Sequence, residues 1–329
     1  MDAAGRPGQG AGFLWEEESY MLGYVIKRLL NAVLVLWVVI TITFGLMHAI
    51  PGGPFTTEKN LPPQVMANIE ARYKLNDPLY KQYTDYLVNI THGDLGPSFK
   101  YQGRTVNDII KESFPVSFHL GLDSILLAIC IGIPAGVFAA LKRGKWQDRV
   151  INFFTTLGVA VPSFVLAALF IEVFALKLGL LPAAMWGGWK NQILPAVALA
   201  GKPMAFITRL TRSSMLDVLG QDYIKTAKAK GLSALNVLFR HALPNSLIPV
   251  VTYIGPMAAG ILTGSFVIES IFAIPGLGRY FVTSIYNRDY TVILGVTIFY
   301  SALIILMNML VDFIYPLLDP RIKLGKKEN

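Results

Sequence analysis

Few residues in this sequence stand at spacings that could do covalent chemistry. Three Gly-Lys pairs could open a phosphate loop, but Gly144-Lys145 runs into Trp146, Gly201-Lys202 into Pro203 and Gly325-Lys326 into Lys327. None supplies the Ser or Thr hydroxyl with which such a loop holds Mg²⁺. The four histidines are scattered at positions 48, 92, 119 and 241, Cys130 is the single cysteine, and no HExxH or G-x-S-x-G segment occurs. No catalytic residue, no metal site and no internal disulfide is therefore expected. Two sets of residues remain. One is the ionisable group inside apolar sequence: Asp123, Glu172, Lys202, Glu269 and Asp312. Such charges are costly in hydrocarbon and mark polar pathways or ion pairs. Glu269 and Asp312 lie near the ends of apolar runs, where snorkelling or pairing between helices is the expectation. Lys202, beside Pro203, is the better candidate for a pathway. The other set is a basic stretch, "AKAKGLSALNVLFRHALPNS", at 227–246.

These residues sit in a chain built for a membrane. Of its 329 residues 53% are hydrophobic and 15% charged, and the mean hydropathy is +0.50. Six apolar runs are long enough to cross about 30 Å of hydrocarbon: Leu29 to Ile50, Ser117 to Leu141, Val150 to Leu176, Ile193 to Leu210, Leu247 to Ile271 and Val292 to Leu317. Each must be helical there, since no water is present to pair with free backbone groups. The fold class is thus all-α and polytopic, with six transmembrane helices. The formal charge of +8 follows membrane sidedness and not nucleic acid, because 17 of the 29 Lys and Arg residues fall in segments sharing one side. That bias places both termini in the cytoplasm.

Residues 1–20 read as an unordered extension ahead of a start at Met21, and 21–50 as the first helix. Residues 51–113 read as an extracytoplasmic region of short amphipathic helices, broken by turn signals at Asn76-Asp77-Pro78 and Gly93-Asp94-Leu95-Gly96-Pro97. Residues 114–317 form a core of five helices containing a polar insert at 214–246, and 318–329 a cytoplasmic tail. Trp186 and Trp189 mark the membrane interface. Gly132, Gly136, Gly158, Gly255, Gly260 and Gly264 suit close helix packing, and Pro134, Pro162 and Pro256 suit kinks. No internal repeat is visible, which disfavours an inverted-repeat secondary carrier.

Punctuation divides the insert. Gly220 suits the end of the preceding helix, Asp222 an N-cap, Gly231 the end of one short helix and Ser233 the cap of the next, which Pro244 closes. In the second helix Leu235, Leu238, Phe239 and Ala242 fall at i, i+3, i+4 and i+7, one apolar stripe. Helices this short need a partner. That partner is a lipid surface, the bundle itself, or a groove on another protein.

The insert resembles the EAA loop of ABC-importer permeases. Thr226, Ala227 and Lys228 take the Glu-Ala-Ala positions, Gly231 the family glycine, and Leu243-Pro244 closes the motif thirteen residues beyond that glycine. The lead residues depart from the generic motif, but "TAKAKGL…RHAL" is similar to the peptide-permease version. "LPPQVMANIEARYKLNDP", "HGDLGPSFKY", "GVAVPSFV", "LTGSFVIESIFAIPGLG" and "VDFIYPLLDPRIK" extend the resemblance to B-type subunits of oligopeptide permeases over nearly the whole chain from Met21. The resemblance implies a type I, MetI-like permease of the bacterial inner membrane. In such a permease the insert docks into cytoplasmic ATPase subunits through Asp222, Thr226, Ala227, Lys228, Gly231, Leu235, Leu238, Phe239, Arg240, His241, Leu243 and Pro244. It further implies a second, homologous permease chain, two ATPase subunits holding ATP and Mg²⁺, and an extracytoplasmic peptide-binding protein, with no cofactor in this chain. Lys202 then becomes a candidate for the translocation path. A dipeptide, nickel or other small-solute permease of the same family is the alternative; a passive channel or ion-coupled carrier is the rival from another class.

Overall fold

A computed structural model describes residues 9–50 and 75–318; the stretches at 1–8, 51–74 and 319–329 lie outside it. The described residues are helical with no named strand. α1 (Gln9–Ala49) carries its apolar segment at Val25–Ala49. Residues 9–20 are therefore helical, a correction to the expected unordered extension. α2 (Leu79–Thr91) starts after Pro78, as the turn signal there predicts. α3 (Val106–Leu141) begins with a capping box in which Thr105 accepts from the Asp108 amide and Asp108 answers the Thr105 amide. It starts within the region assigned to 51–113 and runs for 36 residues through Pro115 and Pro134.

The third apolar run is a bent pair, α4 (Trp146–Ala160) and α5 (Ser163–Lys177), turned by 109° at its break. Pro162 sits at that break, and the residue before a proline is driven out of helical geometry: Val161 has φ −86° and ψ 125°. The pair still traverses the bundle. Asp148 pairs with Arg212, Gly158 lies against Gly201 and Ala205, and Ala167 shares a cluster with Leu194, Ala196 and Ala198. Its contacts thus climb α6 (Trp189–Leu219) from one end towards the other. With the pair counted as one crossing, five single helices and the pair make the six expected spans.

α6 is the central helix, packed on α3, α4, α5 and the later α8. Apolar burial does not drive helices together in lipid, so contact rests on small residues that admit a neighbouring backbone. At Gly136 of α3 an added Cβ would stand 2.6 Å from the Thr208 carbonyl oxygen and 2.6 Å from the Thr211 Cβ. α7 (Asp222–Ala229) follows, then α8 (Ala234–Leu262). The fifth span ends at Leu262 and not at Ile271. After a break with Gly264 at φ +90°, α9 (Phe266–Ile271) and α10 (Leu277–Asn287) lead into α11 (Tyr290–Leu318).

Glu269 therefore lies outside the spans and is fully buried, which corrects the expectation of snorkelling. One of its oxygens accepts from the Arg279 amide at 3.1 Å, in a pocket formed where Gly264, Gly276 and Gly278 leave no room for a Cβ. Asp289 ties the same end together: the Ser98 hydroxyl donates to its carboxylate, the Phe99 amide does so at 3.1 Å, and Thr291 donates to the Pro97 carbonyl at 2.7 Å. Glu172 pairs with Lys177 at 3.3 Å and Asp123 lies 3.9 Å from His119. The side chain of Asp312 lies outside the described residues.

Candidate functional site

The insert is built from the last turn of α6, all of α7 and the first turns of α8. α6 ends at Leu219 with Gly220 as its C-cap, still right-handed at φ −80°. Gln221, without a side-chain capping bond, holds the N-cap position of α7, and Asp222 is the first helical residue. That corrects the expected Asp222 cap. An acidic group in the first turn still suits the positive end of the helix dipole, and here it bonds Lys225 at 2.8 Å. Gly231 adopts φ +79°, the left-handed geometry that glycine accepts without penalty, and Ser233 caps α8 by accepting from the Asn236 amide at 3.3 Å.

α8 does not stop at Pro244. It is α-helical at Ala234–Asn236, π-helical at Val237–Ala242, and α-helical again at Leu243–Leu262. Pro244 has no N–H to return to the Arg240 carbonyl, and its ring crowds that group. A wider turn just before the proline accommodates both faults and lets the helix run on.

The same wide turn breaks the i, i+3, i+4 register, so the predicted stripe splits in two. Val237 and Ala242 turn inward with Ile224 and Ala227 of α7, against Met215 of α6 and Ala140 of α3; Leu238 and Leu243 pack on the edge of that cluster. Burying Ile224 and Val237 contributes roughly 1.5–3 kcal/mol each, sufficient to anchor the insert to the bundle. Leu235 and Phe239 point away at 66% and 62% exposure, joined by Tyr223 and Leu232. Thr226, Lys228 and Arg240 are exposed around this ridge, Pro244 is exposed, and His241 is half-buried. The insert can therefore transmit force and present an apolar ridge ringed by cations. Among the described residues no three His, Cys, Asp or Glu side chains cluster as metal ligands would.

The base of the insert holds a residue that sequence reasoning missed. Asp148, buried at the start of α4, accepts from Nε and Nη2 of Arg212 at 2.7 and 2.8 Å, from the Gly144 amide at 2.9 Å and from the Asn152 side chain at 2.7 Å. This bidentate pair bolts the hairpin at 142–145 to α6 one turn below Met215. Its only sequence signal is a lone acid in a basic hairpin. Lys202 is not part of this assembly: it is exposed on α6, seventeen residues before that helix ends.

The sequence matches the binding-protein-dependent transport system inner membrane component family over residues 132–324, and the N-terminal region of such membrane components over 21–121. It is 52% identical over 307 residues to the dipeptide transport system permease protein DppB of Bacillus subtilis, covering 93% of this chain and all of that one. It is 50% identical over 305 residues to the oligopeptide transport system permease protein OppB of Salmonella typhimurium, covering 92% of this chain and all of that one. Among solved structures, a chain of the inward-facing MetNI methionine ABC transporter shares the fold: the TM-score is 0.55 at 18% identity, over 64% of this chain and 96% of that chain. This chain is a multi-pass inner-membrane protein that belongs to the binding-protein-dependent transport system inner membrane component family.

Proposed function

We propose that this chain is the B-type permease subunit of an ABC importer that carries oligopeptides across the bacterial inner membrane. The observation that carries the reading is the two-sided insert, anchored on one face by Ile224, Ala227, Val237 and Ala242 and presenting Leu235 and Phe239 on the other. An unpaired apolar ridge on a braced lever fits a groove on a partner protein. In this reading the partners are two ATPase subunits, which hold ATP and Mg²⁺, and the insert end faces the cytoplasm with both termini. The cytoplasmic excess of Lys and Arg supports that orientation. A second, homologous permease completes the passage, a peptide-binding protein delivers substrate on the far side, and Lys202 lies along the route. Closure of the ATPases would pull the insert and rock one membrane half against the other as rigid bodies. The similarity to a dipeptide permease favours a second reading, dipeptide cargo, which uptake of peptides of graded length would separate from the first.

Purification of the detergent-solubilised complex tests the docking claim. Phe239→Asp, which places a charge in the centre of the ridge, should cost at least about 2 kcal/mol of association and release the ATPases. Asp148, Arg212 and the spans are untouched by that change, so the permease itself should still purify folded. ATPases that remain bound at wild-type ratio would refute the assignment of the ridge.

A further inference from the structure

Between Asn191 and Leu219 the exposed residues of α6 are Lys202, Phe206, Arg209, Ser213 and Asp217, a single stripe on an otherwise covered central helix. The exposed apolar residues of other spans have a different character. α1 shows Leu29, Leu30, Val33 and Leu34, and α3 shows Phe118, Leu122, Leu126 and Ile131, as lipid contact requires. The α6 stripe carries two cations instead, about 10 Å apart along the axis from their seven-residue spacing. Among the described residues neither Lys202 nor Arg209 has a carboxylate partner. Charges left bare in hydrocarbon are costly, so this face meets water or a charged ligand.

The details favour a ligand that is anionic and partly apolar. Arg209 is steadied by donating to the Thr156 hydroxyl at 2.7 Å and, through Nε, to Thr155 at 3.4 Å, which leaves further guanidinium donors free. Phe206 stacks on Tyr253 of α8 with ring centroids 4.2 Å apart, an apolar step between the two cations. We propose that Lys202 and Arg209 form a two-rung guide for the carboxylate of a passing peptide, with Phe206 and Tyr253 supporting its side chains between the rungs. This deepens the importer reading and rests on it. A pair of rungs, each open on one side, passes a carboxylate along without retaining it, which suits cargo of varied sequence.

The test uses the complete transporter, with partner permease, ATPases and binding protein, reconstituted in proteoliposomes. Uptake of one peptide is compared as free acid and as C-terminal amide, with each acid-to-amide ratio normalised to wild type so that selection by the binding protein cancels. Lys202→Gln and Arg209→Gln should each lower the ratio at least threefold, and the double variant tenfold or more, with uptake of the amide falling less than that of the acid. Lys202→Arg should restore it. A ratio unchanged in all variants overturns the guide. Equal loss of both peptides together with loss of the partner permease assigns the face to the subunit interface and also overturns it. If wild type shows no ATP-driven uptake of either form, the importer reading fails first and takes the guide with it.

Discussion

Gly231 offers the sharpest test of the lever, because its backbone and its surroundings make separate demands. Its φ of +79° lies in the left-handed region, yet a Cβ added there would meet nothing within 4 Å. Any cost of substitution is therefore conformational and not steric. An L residue in this geometry costs roughly 1–2 kcal/mol, a β-branched one up to about 3, and Asn much less, since it visits the region readily. A loss of 1–2 kcal/mol shifts the balance between native and altered insert about 5- to 30-fold. The reconstituted transporter should thus lose coupling, measured as peptide imported per ATP hydrolysed, in the order Gly231→Asn, then Gly231→Ala, then Gly231→Val. ATPase subunits should remain bound throughout, because Phe239 and Leu235 keep their exposure on α8. Wild-type coupling in the Val variant, or an Asn variant as impaired as Val, would refute the reasoning from backbone geometry.

Three further outcomes follow from the packing and the backbone. Asp148→Ala strands Arg212 at the base of the insert and should lower stability by about 3 kcal/mol, the lower end of the range for buried pairs because a quarter of the Arg212 side chain is exposed; thermal unfolding in detergent measures it. Gly136→Ala forces α3 away from the Thr208 carbonyl and should cost about 1–3 kcal/mol in the same assay, whereas Gly144→Ala, with open space around it but φ +76°, should cost only the backbone term.

The candidate site was half legible. Gly231 and Ser233 announce a break and a cap because their chemistry is local: one residue tolerates the left-handed region, the other carries a hydroxyl that reaches an amide three residues on. Asp222 misled for the same local reason, since an acid suits both the cap and the first turn, and the path of the chain through Gln221 chose between them. Asp148 gave only the faint signal of a lone acid in a basic hairpin, because its partner is 64 positions away.

From sequence alone follow the apolar runs, their helical state and the polar insert among them. Backbone groups without water must pair within their own segment, and that demand is met residue by residue. The 109° turn at Val161-Pro162, the end of the fifth span at Leu262, and the division of Val237 and Ala242 from Leu235 and Phe239 were decided by the assembled bundle. Each depends on which neighbour occupies the space beside a proline or a wide turn, and contact between distant residues leaves no periodicity in the chain.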